Sequence, residues 1–262
     1  MLDQITPLIL TWNEEANIGR DLEKLRWARE VVVVDSGSTD KTRQICDAFA
    51  NVRIVVRPFD NHAAQWNYGL KDAGIASGWV LALDADYVLS DALIDEIRLL
   101  APANETAGYR LSFRYCIDGR PLSGSLYPPV IGLYRKERAH YVQDGHTQRA
   151  VVDGTVGELR AVVFHDDRKP LGRWLAAQER YARLECDLLA KRPWGELRWQ
   201  DRLRKLLFVT PWLVPLYCLT VGKGFMDGWP GLYYALQRGV AEAILSLKLL
   251  EARLGLNRKS GI

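Results

Sequence analysis

A chain of 262 residues that is 48% hydrophobic and 26% charged can bury a sizeable core, which excludes an intrinsically disordered protein. The formal net charge of +3 is too small to carry nucleic-acid binding, although Arg and Lys outnumber Asp and Glu across 168–205. Cys46, Cys116, Cys186 and Cys218 are widely spread with no CxxC pair, which speaks against a zinc cluster or disulfide framework and for a reducing cytosol.

The chain enters a short apolar run, ITPLIL at 5–10, almost at once, so no basic-then-apolar leader is expected. A helical pattern follows, with Ile18, Leu22 and Leu25 on one face. EVVVVDS is a β-branched strand ending at Asp35. Ser38, Thr39 and Asp40 then cap a helix expected to bury Ile45, Ala48 and Phe49. VRIVV at 52–56 is the third strand, and a polar helix is expected over 63–76. GWVLALDAD holds the fourth strand, ending at Asp84, and Ser90-Asp91 opens a helix through Ile94, Ile97 and Leu100. Strands alternating with amphipathic helices predict βαβ units and a mostly parallel sheet covered on both faces.

Over 106–167 the pattern changes to short strand-like runs, YRLSF, VIGLY, RAVVD and LRAVVF, separated by Gly and Pro turns; these complete the sheet and shape the acceptor side of the same domain. From 168 onward the pattern is helical. Trp174, Ala177, Tyr181, Leu184 and Leu188 fall at helical spacing, and Leu232, Leu236, Val240, Ala243, Leu247 and Leu250 form a second stripe. The apolar stretch 206–225 approaches the length of about 20 residues that a spanning helix needs. Pro211, Pro215, Gly222 and Lys223 interrupt it, which favours an interfacial or buried segment. The predicted organisation is therefore an α/β half at 1–105, its acceptor-side continuation at 106–167, and a helical region at 168–262.

Ligands of parallel α/β sheets bind at the carboxyl ends of the strands. Thr11, Asn13 and Glu14 follow the first strand, Asp35 ends the second, and Asp84 and Asp86 end the fourth. Two carboxylates at i and i+2 on a strand end can turn toward one cation, and magnesium or manganese prefers such oxygen ligands, shared with substrate phosphates. Asp35 suits hydrogen bonding to a base or ribose, or alternatively the turn that follows it. Glu14 suits a nucleoside clamp, or alternatively the first turn of its helix.

The segments TPLILTWNEEANIGRDLEKL, VVVVDSGSTDKTRQICDAF and GWVLALDAD together resemble the signature of family 2 glycosyltransferases with the GT-A fold. That resemblance implies a Rossmann-like sheet flanked by helices. It implies that Thr11, Asn13, Glu14 and Asp35 hold the uridine of a UDP-sugar. Asp84 would lie near the ribose and diphosphate, with Asp86 as the main ligand of a manganese or magnesium ion. Similar enzymes invert the anomeric centre, and many act at the cytoplasmic face of a membrane on lipid-linked glycans. FDNHAAQWNYGL, in which Gln65 and Asn67 match, and the tail GFMDGWPGLYYALQRGVAEAILSLKLLE resemble bacterial lipopolysaccharide-core and exopolysaccharide transferases. That similarity adds Gln65 and Asn67 to the donor residues.

An inverting transfer needs a base within reach of the acceptor hydroxyl. In YVQDGHTQRAVVDG the candidates are Asp144 and His146; the related enzymes carry a His-Glu pair where this chain has His146-Thr147. His165, ending VVFHDDR, is similar to a late GT-A histidine that reaches the metal. Asp166 and Asp167 can cap the next helix, and Arg168 with Lys169 can meet the diphosphate. Pro170 stands where processive members of the family carry Gln, which argues against polymerisation.

Trp194, Trp199, Trp212, Tyr217 and Trp229 among Arg198, Arg202, Arg204 and Lys205 suit a membrane surface. Location at the cytoplasmic side of the bacterial inner membrane, or in the cytoplasm, is expected. The partners implied are a UDP-sugar and a lipid-linked saccharide acceptor; the alternative acceptor, a polyprenyl phosphate, is already anionic and would need no base. Two non-enzymatic readings stand beside these: a sugar-nucleotide-binding scaffold, and a membrane-surface module confined to 168–262.

Overall fold

Apolar runs buried on both faces build the centre of the sheet: β1 (Ile5–Thr11), β2 (Val31–Asp35) and β4 (Trp79–Asp84) have almost no exposed position. Between them lie α1 (Ile18–Glu23), α2 (Thr42–Asp47), β3 (Val52–Val56) and α3 (His62–Lys71). The structure, a computed structural model, describes residues 1–144 and 147–256, leaving out the side chains at 144 and 147. It divides into two compact units, Met1–Pro121 with Tyr127–Lys169, and Leu122–Leu126 with Pro170–Ile262. The predicted 1–105 and 106–167 stretches lie in the first unit except for Leu122–Leu126.

The first unit continues with β5 (Tyr87–Leu89), α4 (Asp91–Leu99), β6 (Thr106–Ile117), β7 (Arg120–Pro121), β8 (Val130–Arg135), β9 (Ala139–Asp144), β10 (Thr147–Val152) and β11 (Thr155–His165). The sheet order is β3-β2-β1-β4-β8-β6-β11-β5, with β7 on β6 and β9 paired to β10. β3, β2, β1 and β4 run parallel, as the alternating pattern predicted. β8 is antiparallel to β4 and β6, β11 is parallel to β6, and β5 is antiparallel to β11. Register decides what the strand ends share. Thr11 pairs with Asp35, Leu10 with Asp84, and His165 with Tyr87.

Alternation along β1 sends Ile5 and Ile9 to one core with Ile18, Leu22, Leu81, Leu93 and Ile97, and Leu8 to the other with Val32, Val34, Trp66, Leu70 and Tyr134. Each such side chain contributes about 1.5–3 kcal/mol on burial. α3 lies close on β1 because Gly69 has no side chain; a Cβ there would sit 2.8 Å from a Leu8 methyl.

Ser90 caps α4 as expected, accepting from the Leu93 N–H at 3.1 Å. α2 begins at Thr42, whose N–H is accepted by Asp40, and it buries Cys46 where Ala48 was expected; Ala48 is exposed. α3 is shorter than the predicted 63–76. Asn61 caps its start through the Ala64 N–H, and the chain leaves the helix after Lys71, passing through Gly74 at φ +71°.

The second unit holds α5 (Leu171–Lys191), α6 (Trp199–Arg204), α7 (Thr210–Leu219) and α8 (Trp229–Leu254). Its core joins Ala182, Cys186, Leu189, Leu197, Leu207, Leu245 and Leu249. The predicted stripes largely miss it: Tyr181, Leu184, Leu236, Val240 and Leu247 are exposed, while Leu250 of the second stripe packs against this core. α5 and α8 carry apolar residues on more than one face, so periodicity alone does not select the buried one. What anchors the buried faces is charge as well as apolar area. Arg204 pairs with Glu185 of α5, Asp201 of α6 and Glu242 of α8, at 3.4, 3.4 and 3.0 Å. The 206–225 stretch is broken around the ten-residue α7, and among the described residues no helix is long and apolar enough to cross a membrane.

Candidate active site

The carboxyl ends of β1, β2 and β4 bring Thr11, Asp35 and Asp84 side by side through the sheet register. Beyond β4 a two-residue turn places Asp86 against the end of β11. Asp86 O accepts the Asp166 N–H at 3.0 Å, and its Oδ2 lies 3.1 Å from His165 Nε2. Rings of Tyr87, Tyr115 and Tyr127 surround His165 at centroid distances of 5.1, 4.8 and 4.9 Å. Tyr87 and Tyr127 are joined through their hydroxyls. His165 Nδ1 is buried with no hydrogen-bond partner. In this arrangement the imidazole is the hydrogen-bond partner that holds Asp86. Burial works against the imidazolium, but Asp86 and Asp84 hold the His165 pKa above its ordinary value.

Asp84 and Asp86 concentrate negative charge in a poorly solvated place. Burial, with Asp86 adding to it, pushes the Asp84 carboxyl up to about 6. Asp86 is also buried, yet His165 and Lys169 hold its carboxyl below the usual range. Among the described residues no three His, Cys, Asp or Glu side chains converge as a complete metal centre. Magnesium and manganese do not require one where substrate phosphates finish the shell, since one or two carboxylates then suffice. The adjoining carboxylates Asp84 and Asp86, whose mutual repulsion a divalent cation relieves, fit such a shared ion.

Glu14 is deeply placed. Its N–H donates to Thr42 Oγ1 at 2.7 Å, Oε1 meets Lys169 Nζ at 2.7 Å, and Oε2 accepts from Asn17 Nδ2 at 2.8 Å. Burial, with Asp86 adding, raises the Glu14 carboxyl toward about 7, against the pull of Lys169. Thr11 Oγ1 is buried with no hydrogen-bond partner. Asp35 is fully buried, and its carboxylate accepts from the Ser38 N–H at 2.9 Å, the Gly37 N–H at 3.2 Å and the Ser38 hydroxyl. The turn alternative for Asp35 is thus realised, and the Arg43 guanidinium lies 3.8 Å from the same carboxylate. Asn13, at φ 55°, stitches the two loops together: its N–H donates to Ser38 Oγ and its Oδ1 accepts the Thr39 N–H, both at 2.8 Å.

Three sequence candidates are engaged elsewhere. Asn67 exchanges both amide functions with the Tyr141 backbone, at 2.9 and 2.8 Å, and so pins β9 to α3. Gln65 is fully buried and ties Ser36 and the Arg57 carbonyl to α3, its Oε1 accepting from the Arg57 guanidinium. Arg168 reaches Asp166 at 3.0 Å and Asp118 at 3.8 Å, with its guanidinium over Gly119. Asp166 and Asp167 do not cap α5, which begins behind Pro170 without a side-chain cap; they accept from Arg20, Gly119, Asn17 and Lys169 instead. Asp144 ends β9, and its side chain, like all of His146, lies outside the described residues.

Sequence reasoning passed over Asn17, Arg20 and the tyrosines around His165. Asn17 lies inside the NEEAN motif, which was a usable signal; Tyr87 and Tyr115, on β5 and β6, and Tyr127, in the loop before β8, had none, being brought together only by tertiary structure.

The glycosyl transferase family 2 model matches residues 8–155, more than half of the chain. The chain belongs to this family. It is a glycosyltransferase, and its parallel-then-mixed sheet flanked by helices is the Rossmann-like architecture expected of a GT-A enzyme. It is similar to the lipopolysaccharide core biosynthesis glycosyltransferase LpsC of Rhizobium meliloti (strain 1021), 28% identical over 88% of each chain. An uncharacterized glycosyltransferase of Rickettsia bellii (strain RML369-C) is 32% identical over 53% of this chain and 48% of its own, so the match spans about half of that relative. Glucosyl-3-phosphoglycerate synthase from Mycobacterium tuberculosis, solved in complex with Mn2+, UDP and glucosyl-3-phosphoglycerate, superposes with a TM-score of 0.49 at 17% identity, covering 72% of this chain and 79% of that one.

Proposed function

We propose that this glycosyltransferase moves one sugar from a UDP-sugar to a hydroxyl of a lipid-linked saccharide, with inversion, in the synthesis of bacterial lipopolysaccharide or related surface polysaccharide. The observation that carries the donor side is the pair Asp84 and Asp86 at the end of β4, beside Glu14, Thr11 and the end of β2. The acceptor class rests on the likeness to LpsC over most of both chains.

Thr11 and Asp35 face the nucleoside, with the unpartnered Thr11 hydroxyl ready to bond it. Asp84 and Asp86 would hold a shared manganese or magnesium, which when bound stabilises the charge on the departing diphosphate. His165 keeps Asp86 in orientation. Asp144, with His146 as the alternative, takes the proton of the acceptor hydroxyl as its oxygen bonds to the anomeric carbon; the bond from that carbon to the diphosphate breaks on the opposite face, and UDP departs. A polyprenyl phosphate acceptor is already anionic and needs no base, so intact turnover in both Asp144→Asn and His146→Ala would favour that acceptor.

For the second unit we propose a peripheral position on the cytoplasmic face of the inner membrane. Across 206–236 the only charged residues are Lys223 and Asp227, and Asp227 accepts from Ser123. Phe208, Trp212, Phe225, Met226 and Trp229 are all well exposed there. An exposed aromatic and apolar face of that kind supports lying in a headgroup layer.

The test is transfer itself. Purified protein is offered UDP-glucose, UDP-galactose, UDP-N-acetylglucosamine and UDP-glucuronate with deacylated core saccharides, and the product is read by mass and by the anomeric proton coupling. One donor giving a product of inverted configuration supports the reading. Turnover only with a non-uridine donor, or a retained anomer, overturns it.

A further inference from the structure

We infer that Lys169 is the side chain that binds the donor's diphosphate, an inference that rests on the nucleoside-diphosphate donor proposed above. The residues after β11 turn back over the loop that follows β1, and they are fastened there. Asn17, itself buried, donates to Asp167 Oδ1 at 2.9 Å and accepts the Arg168 N–H on its Oδ1 at 2.9 Å. Arg20 holds Asp166 through its carboxylate and, at 2.9 Å, through its carbonyl. The Gly119 N–H secures the other Asp166 oxygen at 2.9 Å.

This fastening sorts the cations. Arg20 and Arg168 are both spent on Asp166. Lys169 points the other way. Its ammonium lies 2.7 Å from Glu14 Oε1 and 3.7 Å from Asp167 Oδ2, and the cationic groups acting on Asp86 are His165 and Lys169. An ammonium has three N–H donors, and Glu14 takes one. The side chain is only 22% exposed, so solvent screens it weakly. Burial opposes its charge, but Glu14, Asp167 and Asp86 together hold the ammonium protonated well above an ordinary lysine. A cation already fixed before charge develops on the leaving diphosphate loses nothing to reorganisation during the step. Lysine also suits a phosphate as a compact point charge, without the planar fork that Arg168 spends on carboxylates.

The experiment compares UDP with uridine in manganese-containing buffer, by calorimetry for UDP and ligand-observed NMR for uridine, on the full chain and on Lys169→Met and Lys169→Arg, with thermal melts to establish folding. Lys169→Met is expected to weaken UDP about 10–100-fold, the scale of one charge-assisted hydrogen bond, and to leave uridine unchanged. Lys169→Arg is expected to recover part of the loss. Equal losses for uridine and UDP would make Lys169 a pin for Glu14 and overturn the inference, as would unchanged UDP affinity in a folded Lys169→Met. If the unmodified chain binds neither ligand, the donor reading itself fails, and the inference falls with it.

Discussion

Asp21 of α1 is 0% exposed, and neither of its carboxyl oxygens has a hydrogen-bond partner. Burial first, and then Asp86 and Asp84, push its carboxyl well above the usual range, with Arg20 opposing. A carboxyl whose folded pKa exceeds its unfolded pKa binds more protons in the folded chain, so stability falls as pH rises from the unfolded value near 3.8 through the raised folded value. The slope contributed by this one group reaches about 1.4 kcal/mol per pH unit. Asp21→Asn keeps the shape and removes the ionisation. The two proteins should therefore be equally stable near pH 4, and the variant should gain with pH, reaching about 2–3 kcal/mol at neutral pH, the scale of a buried unpaired polar group. For a chain of this size that is a rise in Tm of roughly 4–10 °C. Urea denaturation from pH 4 to 8 measures it. A variant less stable than its parent at pH 7, or a difference that does not change with pH, would mean that Asp21 is ionised and satisfied, and would refute the reasoning.

Arg204→Met leaves Glu185, Asp201 and Glu242 without their shared cation and should cost about 3 kcal/mol in the unfolding of the second unit, read by circular dichroism melts. An unchanged Tm would mean that the three carboxylates are solvated independently. Asp144→Asn is expected to lower kcat by about 100-fold or more with little change in KM for the donor, and His146→Ala to matter less; the reverse order would move the base to His146. Replacing Phe208, Trp212 and Phe225 together with Ser should abolish co-sedimentation with phosphatidylglycerol vesicles while donor binding survives. Unchanged co-sedimentation would exclude this face as the membrane contact.

The half of the fold that was legible in the sequence is the half in which one signal suffices. VVVVD and WVLAL can only be strands covered on both sides, and their spacing implied the parallel order and the strand ends where Asp35 and Asp84 stand. α5 and α8 were legible as helices, but their buried faces were not: both sides carry Leu, and the decision falls to Glu185 and Glu242 closing on Arg204, a tertiary fact.

The site divides in the same way. Asp84 was readable because it ends β4, and Asp86 and Glu14 because they follow the ends of β4 and β1 within three residues. Gln65 and Asn67 match a motif, yet an amide that satisfies a neighbouring backbone is as good a reason for that motif as one that meets a ligand, and Asn67 with Tyr141 is such a case. Lys169 could not be ranked above Arg168 from two adjacent letters. What separates them is Asn17, about 150 positions away in the chain, which fixes the linker so that one cation turns to Asp166 and the other to Glu14.

The central claim is that the β4 end binds a nucleoside diphosphate together with a divalent cation. Its most direct test is calorimetric titration of UDP into the protein with manganese and with chelator, beside Asp86→Ala. The account predicts binding that needs manganese and is lost in the variant; UDP binding of equal strength with chelator, or in a folded Asp86→Ala, would contradict it.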